Sequence, residues 1–132
     1  MPTAQQLVTG VDFVSVPTRD LEAAVGFYGE TLGLPRSVYM PDRHFAEFET
    51  GNLTLTVIDP QRMGIGDFEP HSSAIALHVD DVESARATLE ERGVSFHGDI
   101  FDTGVCHMAF LSDLDGNALM LHHRYAPRHT DL

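Results

Sequence analysis

The feature that most constrains this chain is a pattern that occurs twice. An apolar strand-like run is followed by an amphipathic helix closed by glycine, and then by three more strand-like runs. In the first half the opening run goes from Val11 to Val16, and the helix from about Asp20 to Leu32. Asp20 is placed to cap it, because a carboxylate there accepts the free amides of the first turn. Leu21, Ala24, Val25, Tyr28 and Leu32 recur on one face, and Gly33 supplies the stop. In the second half the run from Ala74 to Val79 leads into a helix from about Asp81 to Arg92. Asp80 or Asp81 caps it, Val82, Ala85 and Leu89 form its apolar stripe, and Gly93 ends it. The further strands fall around Ser37 to Tyr39, His44 to Glu49 and Leu53 to Ile58, then around Ser95 to Phe96, His107 to Leu111 and Ala118 to His122. Gly51-Asn52 and Gly116-Asn117 supply turn chemistry before each last strand. The order predicts one α+β domain over residues 1–132, with βαβββ modules at about 11–58 and 74–124 and a linker at 59–72. The tail from Ala126 to Leu132 has no periodicity and is expected to be irregular.

The length suits a single core. No run approaches the roughly 18 apolar residues of a membrane span. Met1 to Thr9 holds neither a basic region nor an apolar run, so no signal peptide is expected. The lone Cys106 has no partner for an internal disulfide, which fits a reducing, cytoplasmic setting. A net charge of −12 argues against nucleic acid, which needs cations to neutralise phosphate, and against an anionic membrane surface. It keeps the chain soluble and leaves room for a cationic ligand.

Side chains alternate across a strand, so each strand has two faces. Val14, Val16, Leu55, Val57, Ile75, Leu77, Val79, Leu119 and Leu121 make one face uniformly apolar, and it should pack on the helices. The other face carries Phe13, Ser15, Thr54, Thr56, Ala74, Ala76, His78, Met120 and His122. A free antiparallel face would ordinarily be strongly polar. This mixture of small, hydroxyl, thioether and imidazole groups reads as the wall of a small-molecule cavity, or else as a second packing surface. Tyr39, Phe45 and Phe68 are candidates to cover its mouth, or ordinary core aromatics. Cys106 and His107 point apart in a strand, so Cys106 reads as a small buried group rather than a nucleophile. Gly64-Ile65-Gly66 lacks the strand and helix that a phosphate loop needs.

Val16-Pro17-Thr18-Arg19-Asp20-Leu21-Glu22, Phe27-Tyr28, Leu32-Gly33-Leu34, His78-Val79-Asp80-Asp81-Val82 and Asp113-Leu114-Asp115-Gly116-Asn117, taken in order, resemble the vicinal oxygen chelate superfamily of glyoxalases, bleomycin-resistance proteins and dioxygenases. Leu114 departs from the proline usual there. The resemblance spans about Val11 to Arg124 and implies paired modules forming an open, cup-like mixed sheet with helices outside, and a homodimer. Metal-dependent members hold one divalent ion with His and Glu on the inner strands. Here the matching positions fall on Phe13, Ala74, Met120 and Thr56, or Thr54 if the register slips by two. None offers an imidazole or carboxylate, and a thioether is too soft for Mg²⁺, Mn²⁺ or Fe²⁺. The resemblance therefore implies a protein with no metal and no cofactor. Its partner would be a small organic ligand, cationic or aromatic, which it binds and sequesters. Two alternatives stand beside this reading. One is a metal-free isomerase or cyclase with His78 or His122 as acid or base. The other is a metal-dependent lyase, isomerase or dioxygenase with relocated ligands, His78 and His122 joined by His107 or Glu47.

Overall fold

In this computed structural model, residues 5–128 are described. The duplication holds element by element. The first module contains β1 (Phe13–Pro17), α1 (Leu21–Gly26), β2 (Arg36–Met40), β3 (Phe45–Glu49) and β4 (Thr54–Ile58). The second contains β5 (Ile75–His78), α3 (Val82–Glu91), β6 (Phe96–Asp102), β7 (Cys106–Ser112) and β8 (Ala118–Arg124). Each module makes a four-stranded mixed sheet, ordered β1-β4-β3-β2 and β5-β8-β7-β6. The first and last strands of each module run parallel, and the other pairs are antiparallel. The fold is thus the expected α+β class. The two modules form the expected open mixed sheets, one per module, with β1 and β5 each at an edge.

Three local departures have visible causes. The first helix changes to a π turn over Phe27–Thr31, with the Leu32 amide donating to the Phe27 carbonyl at 2.9 Å. Gly26 and Gly29 weaken the α-helix there. Gly29 also sits so close to Phe48 that a Cβ on it would lie 3.3 Å from that ring. The linker contains a short helix, α2 (Pro60–Met63), capped by Asp59, whose carboxylate accepts the Arg62 amide at 3.1 Å. Strand β6 outruns its expected length because its register shifts between His97 and Phe101, which hides the alternation. Of the tail, residues 129–132 lie outside the described residues. Among the described residues no helix is long and apolar enough to cross a membrane.

Asp20 caps α1 through the Ala23 amide at 3.2 Å, and Asp81 caps α3 through the Glu83 amide at 3.2 Å. The helices lie on the apolar face of the sheets. Val16, Ala46, Phe48, Leu55, Val57, Ala109, Leu111, Leu119 and Leu121 are buried there with Phe27, Tyr28, Val82 and Leu89. Cys106 is buried too.

A polar knot joins the modules. The Tyr28 hydroxyl donates to Asp113 Oδ2 at 2.6 Å, and Asn117 Nδ2 donates to the same oxygen at 2.7 Å. Asn117 Nδ2 also reaches the Pro17 carbonyl at 2.8 Å, which ties the β7–β8 turn to the end of β1. Asp113 Oδ1 accepts the Asp115 and Asn117 amides, and the Arg19 amide donates to Asp115 Oδ1. Burial, reinforced by the Asp113 charge and hydrogen bond, pushes the Tyr28 phenol far above its ordinary value. The phenol therefore stays protonated and keeps donating.

Candidate functional site

The sheet faces turned away from the helices carry most of the residues expected to line a cavity. Register aligns them in rows. On the first sheet Ser15, Thr56 and Glu47 stand side by side, with Phe13, Thr54 and Glu49 in the row on one side and Ile58 and Phe45 in the row on the other. On the second, Ala76, Met120, Phe110 and His97 form one row and His78, His122, Met108 and Phe101 another. Ala74 lies just before β5. The fold therefore brings Phe13, Ser15, Phe45, Thr54 and Thr56 together on one wall, and Ala76, His78, Met120 and His122 on another. It does not join the two walls within one chain.

Tyr39 is a correction. It pairs in register with Ala46, whose side chain is in the core, and it packs against that core with Arg36 over its ring at 4.8 Å. Alternation places it on the helix side, so it lines no cavity mouth. Phe68 is likewise engaged, with the Arg19 guanidinium 4.2 Å from its ring centre.

The polar groups of the first wall differ in how far they are satisfied. Thr54 Oγ1 donates to Glu49 at 2.8 Å, and the Ser37 hydroxyl donates to the other carboxylate oxygen. The Ser37 bond, followed by the Thr54 bond, holds the Glu49 carboxyl below its usual range. Thr56 is only 6 % exposed, and its Oγ1 has no partner among the described residues. A buried hydroxyl left unpaired costs free energy unless something else completes it.

On the second wall, His78 stands in register with His122, but its ring neighbours His123 at 5.9 Å. Its Nε2 lies 3.5 Å from Asp80 Oδ1, and both side chains are largely exposed. His123 Nδ1 lies 3.1 Å from the Val79 carbonyl oxygen. His107 is held elsewhere, 3.4 Å from Asp102, with its ring tilted against that of Tyr125 at 4.8 Å. Among the described residues no three His, Cys, Asp or Glu side chains gather as a metal site would require. Relocated ligation by His78, His122 and His107 or Glu47 thus finds no geometric support. The side chains at the family's ligand positions, Phe13, Thr56, Ala74 and Met120, do not fit a hard divalent ion either.

One feature escaped sequence reasoning. An apolar groove of ≈ 450 Å³ opens beside the β1 and β5 edges, lined by Val14, Ile75, Leu77, Val79 and Leu89, with Arg92 among its polar groups. Its signal lay in β5. Ile75, Leu77 and Val79 alternate along it, and all three line the groove together with Ala85 and Leu89 of α3.

A family model described as the Glyoxalase/Bleomycin resistance protein/Dioxygenase superfamily matches residues 10–121. The chain belongs to this superfamily. An antibiotic binding protein from Streptomyces sp. CB03234 is 28% identical, with a TM-score of 0.75 over 91% of this chain and 99% of that one. A glyoxalase/bleomycin resistance protein from the same organism is 30% identical, with a TM-score of 0.69 over 86% of this chain and 100% of that one. A glyoxalase family protein from Bacillus anthracis, at 23% identity, shares the fold with a TM-score of 0.79 over 92% and 99% of the two chains. No curated protein matches in sequence. In this chain the duplicated module is the unit of the fold. Within this member, the turn from Asp113 to Asn117 has a clear structural task, because its side chains hold one module against the other.

Proposed function

We propose that this superfamily member is a metal-independent small-molecule-binding protein that sequesters a cationic or aromatic compound on the sheet face opposite its helices. The observation that carries this reading is the buried Thr56 hydroxyl, unpartnered among the described residues, on a wall that also carries Phe13, Ser15, Thr54, Phe45, Glu47 and Glu49. Such a surface suits an organic ligand, with apolar area for contact and a few polar groups for orientation. The antibiotic binding protein among its structural relatives supports the same class. A thermal-shift titration with cationic aromatic drugs, bleomycin included, tests it. Ligand at a hundred times its Kd adds about 2.7 kcal/mol of stability, an easily measured rise in Tm. A panel that leaves Tm unmoved refutes the reading.

The working unit in this proposal is a homodimer. Unpaired strand edges invite pairing, and β1 and β5 border the apolar groove on both sides. A second copy laid across them covers that groove and sets wall against wall. Sedimentation should report twice the chain mass. Ala76→Lys, an exposed change on the β5 edge, should shift the protein toward single chains while leaving its circular dichroism intact. A wild-type protein sedimenting as one chain at micromolar concentration contradicts the dimer.

A further inference from the structure

Glu47 has no assigned task, and its surroundings are unusual. It lies in β3, an interior strand flanked by β2 and β4. It is half-buried on the face away from the helices, and its carboxylate makes no hydrogen bond or ion pair among the described residues. Glu49, two positions along on the same face, is in contrast engaged by Ser37 and Thr54. The cross-strand partner of Glu47 is Thr56, with the orphaned hydroxyl, and beyond Thr56 stands Ser15. Directly opposed residues of antiparallel strands keep their Cβ atoms about 4.5–5.5 Å apart, so one small group can touch both.

We propose that Glu47 and Thr56 form a cation subsite that receives a protonated amine of the bound compound, with Ser15 at its margin. The inference rests on the ligand-binding reading above and narrows it to organic ammonium ions. The chemistry is complementary. An ammonium carries several donors and no acceptor, while a carboxylate and a hydroxyl oxygen both accept. Charge-assisted hydrogen bonds are the stronger kind, and a carboxylate partly withdrawn from water is screened less than an exposed one. The chain contains no lysine, so no side-chain ammonium of its own competes for the position. The net charge of −12 further raises the local concentration of cations.

The test uses a matched pair of fluorescent probes, naphthylmethylamine and naphthylmethanol, which differ in a charged amine against a neutral hydroxyl. Both are titrated into the full chain at neutral pH and about 0.15 M salt, where diffuse attraction is screened beyond about 8 Å. Wild-type protein should prefer the amine by about tenfold. Glu47→Gln, nearly isosteric and breaking no contact, should keep its Tm and bring the two affinities level. Glu91→Gln, which removes an exposed carboxylate at the end of α3, should keep the preference. Equal wild-type affinities would remove the cation subsite and leave the ligand face standing. Equal losses in both variants would show attraction to overall charge and overturn the assignment of Glu47. Binding of neither probe would overturn the subsite together with the ligand reading.

Discussion

Asp113→Ala is expected to destabilise the protein by about 3 kcal/mol or more, read as a lower urea midpoint with an unchanged slope. The argument is one of stranded donors. Asp113 accepts from the Tyr28 hydroxyl, from the Asn117 side chain and from two backbone amides. Tyr28 and Asn117 are both fully buried, so water cannot replace the lost acceptor. Each abandoned buried donor costs about 1–3 kcal/mol, and this network contains several. The damage also falls at the junction of the modules, because Asn117 holds the end of β1 through the Pro17 carbonyl. Tyr28→Phe removes a single donor and should cost less. An Asp113→Ala loss below about 1 kcal/mol would mean that the knot is not a determinant of stability.

Phe48→Ala is the second large effect, expected at about 3–5 kcal/mol. Phe48 is fully buried in β3, and its ring centre lies 6.0 Å from that of Tyr28. Its edge occupies the space that glycine at position 29 leaves open, so the π turn and the ring fit one another. Removing the ring loses its burial and leaves a cavity that a sheet and a helix cannot close without moving. Thermal and urea denaturation both measure it. A cost below about 2 kcal/mol would show that the π turn collapses into the gap.

The proposed ligand wall lies directly across the same strands. Residues 46 and 48 point into the core, while 45, 47 and 49 point away from it. This alternation is why the placement of most candidate residues on the faces away from the helices is legible in the sequence. Ser15, Thr54 and Thr56 on the first sheet, and Met120 and His122 on the second, each share a face because period-two geometry leaves them no other place once their neighbours are buried. Tyr39 failed the same logic. Its segment was too short and its apolar residues too few for alternation to show which side Tyr39 took, and its partner Ala46 settles it in the core. His78 kept its strand position, yet its ring lies by His123 and Asp80 at the end of β5. A side chain at a strand end answers to whatever the neighbouring loop brings near, and periodicity says nothing of that.

Local physics alone determined the βαβββ order of each half, an aspartate cap before each helix (Asp20, then Asp80 or Asp81) and the apolar faces. Each of these depends on residues a few positions apart. Tertiary structure alone decided that the two sheets stay separate, that β1 and β5 lie at sheet edges, that Asp113 meets Tyr28, and that Thr56 is buried with no partner among the described residues while Glu47 stands beside it. Those outcomes depend on which distant segments approach one another. That approach is set by how whole faces pack rather than by any pattern along the chain.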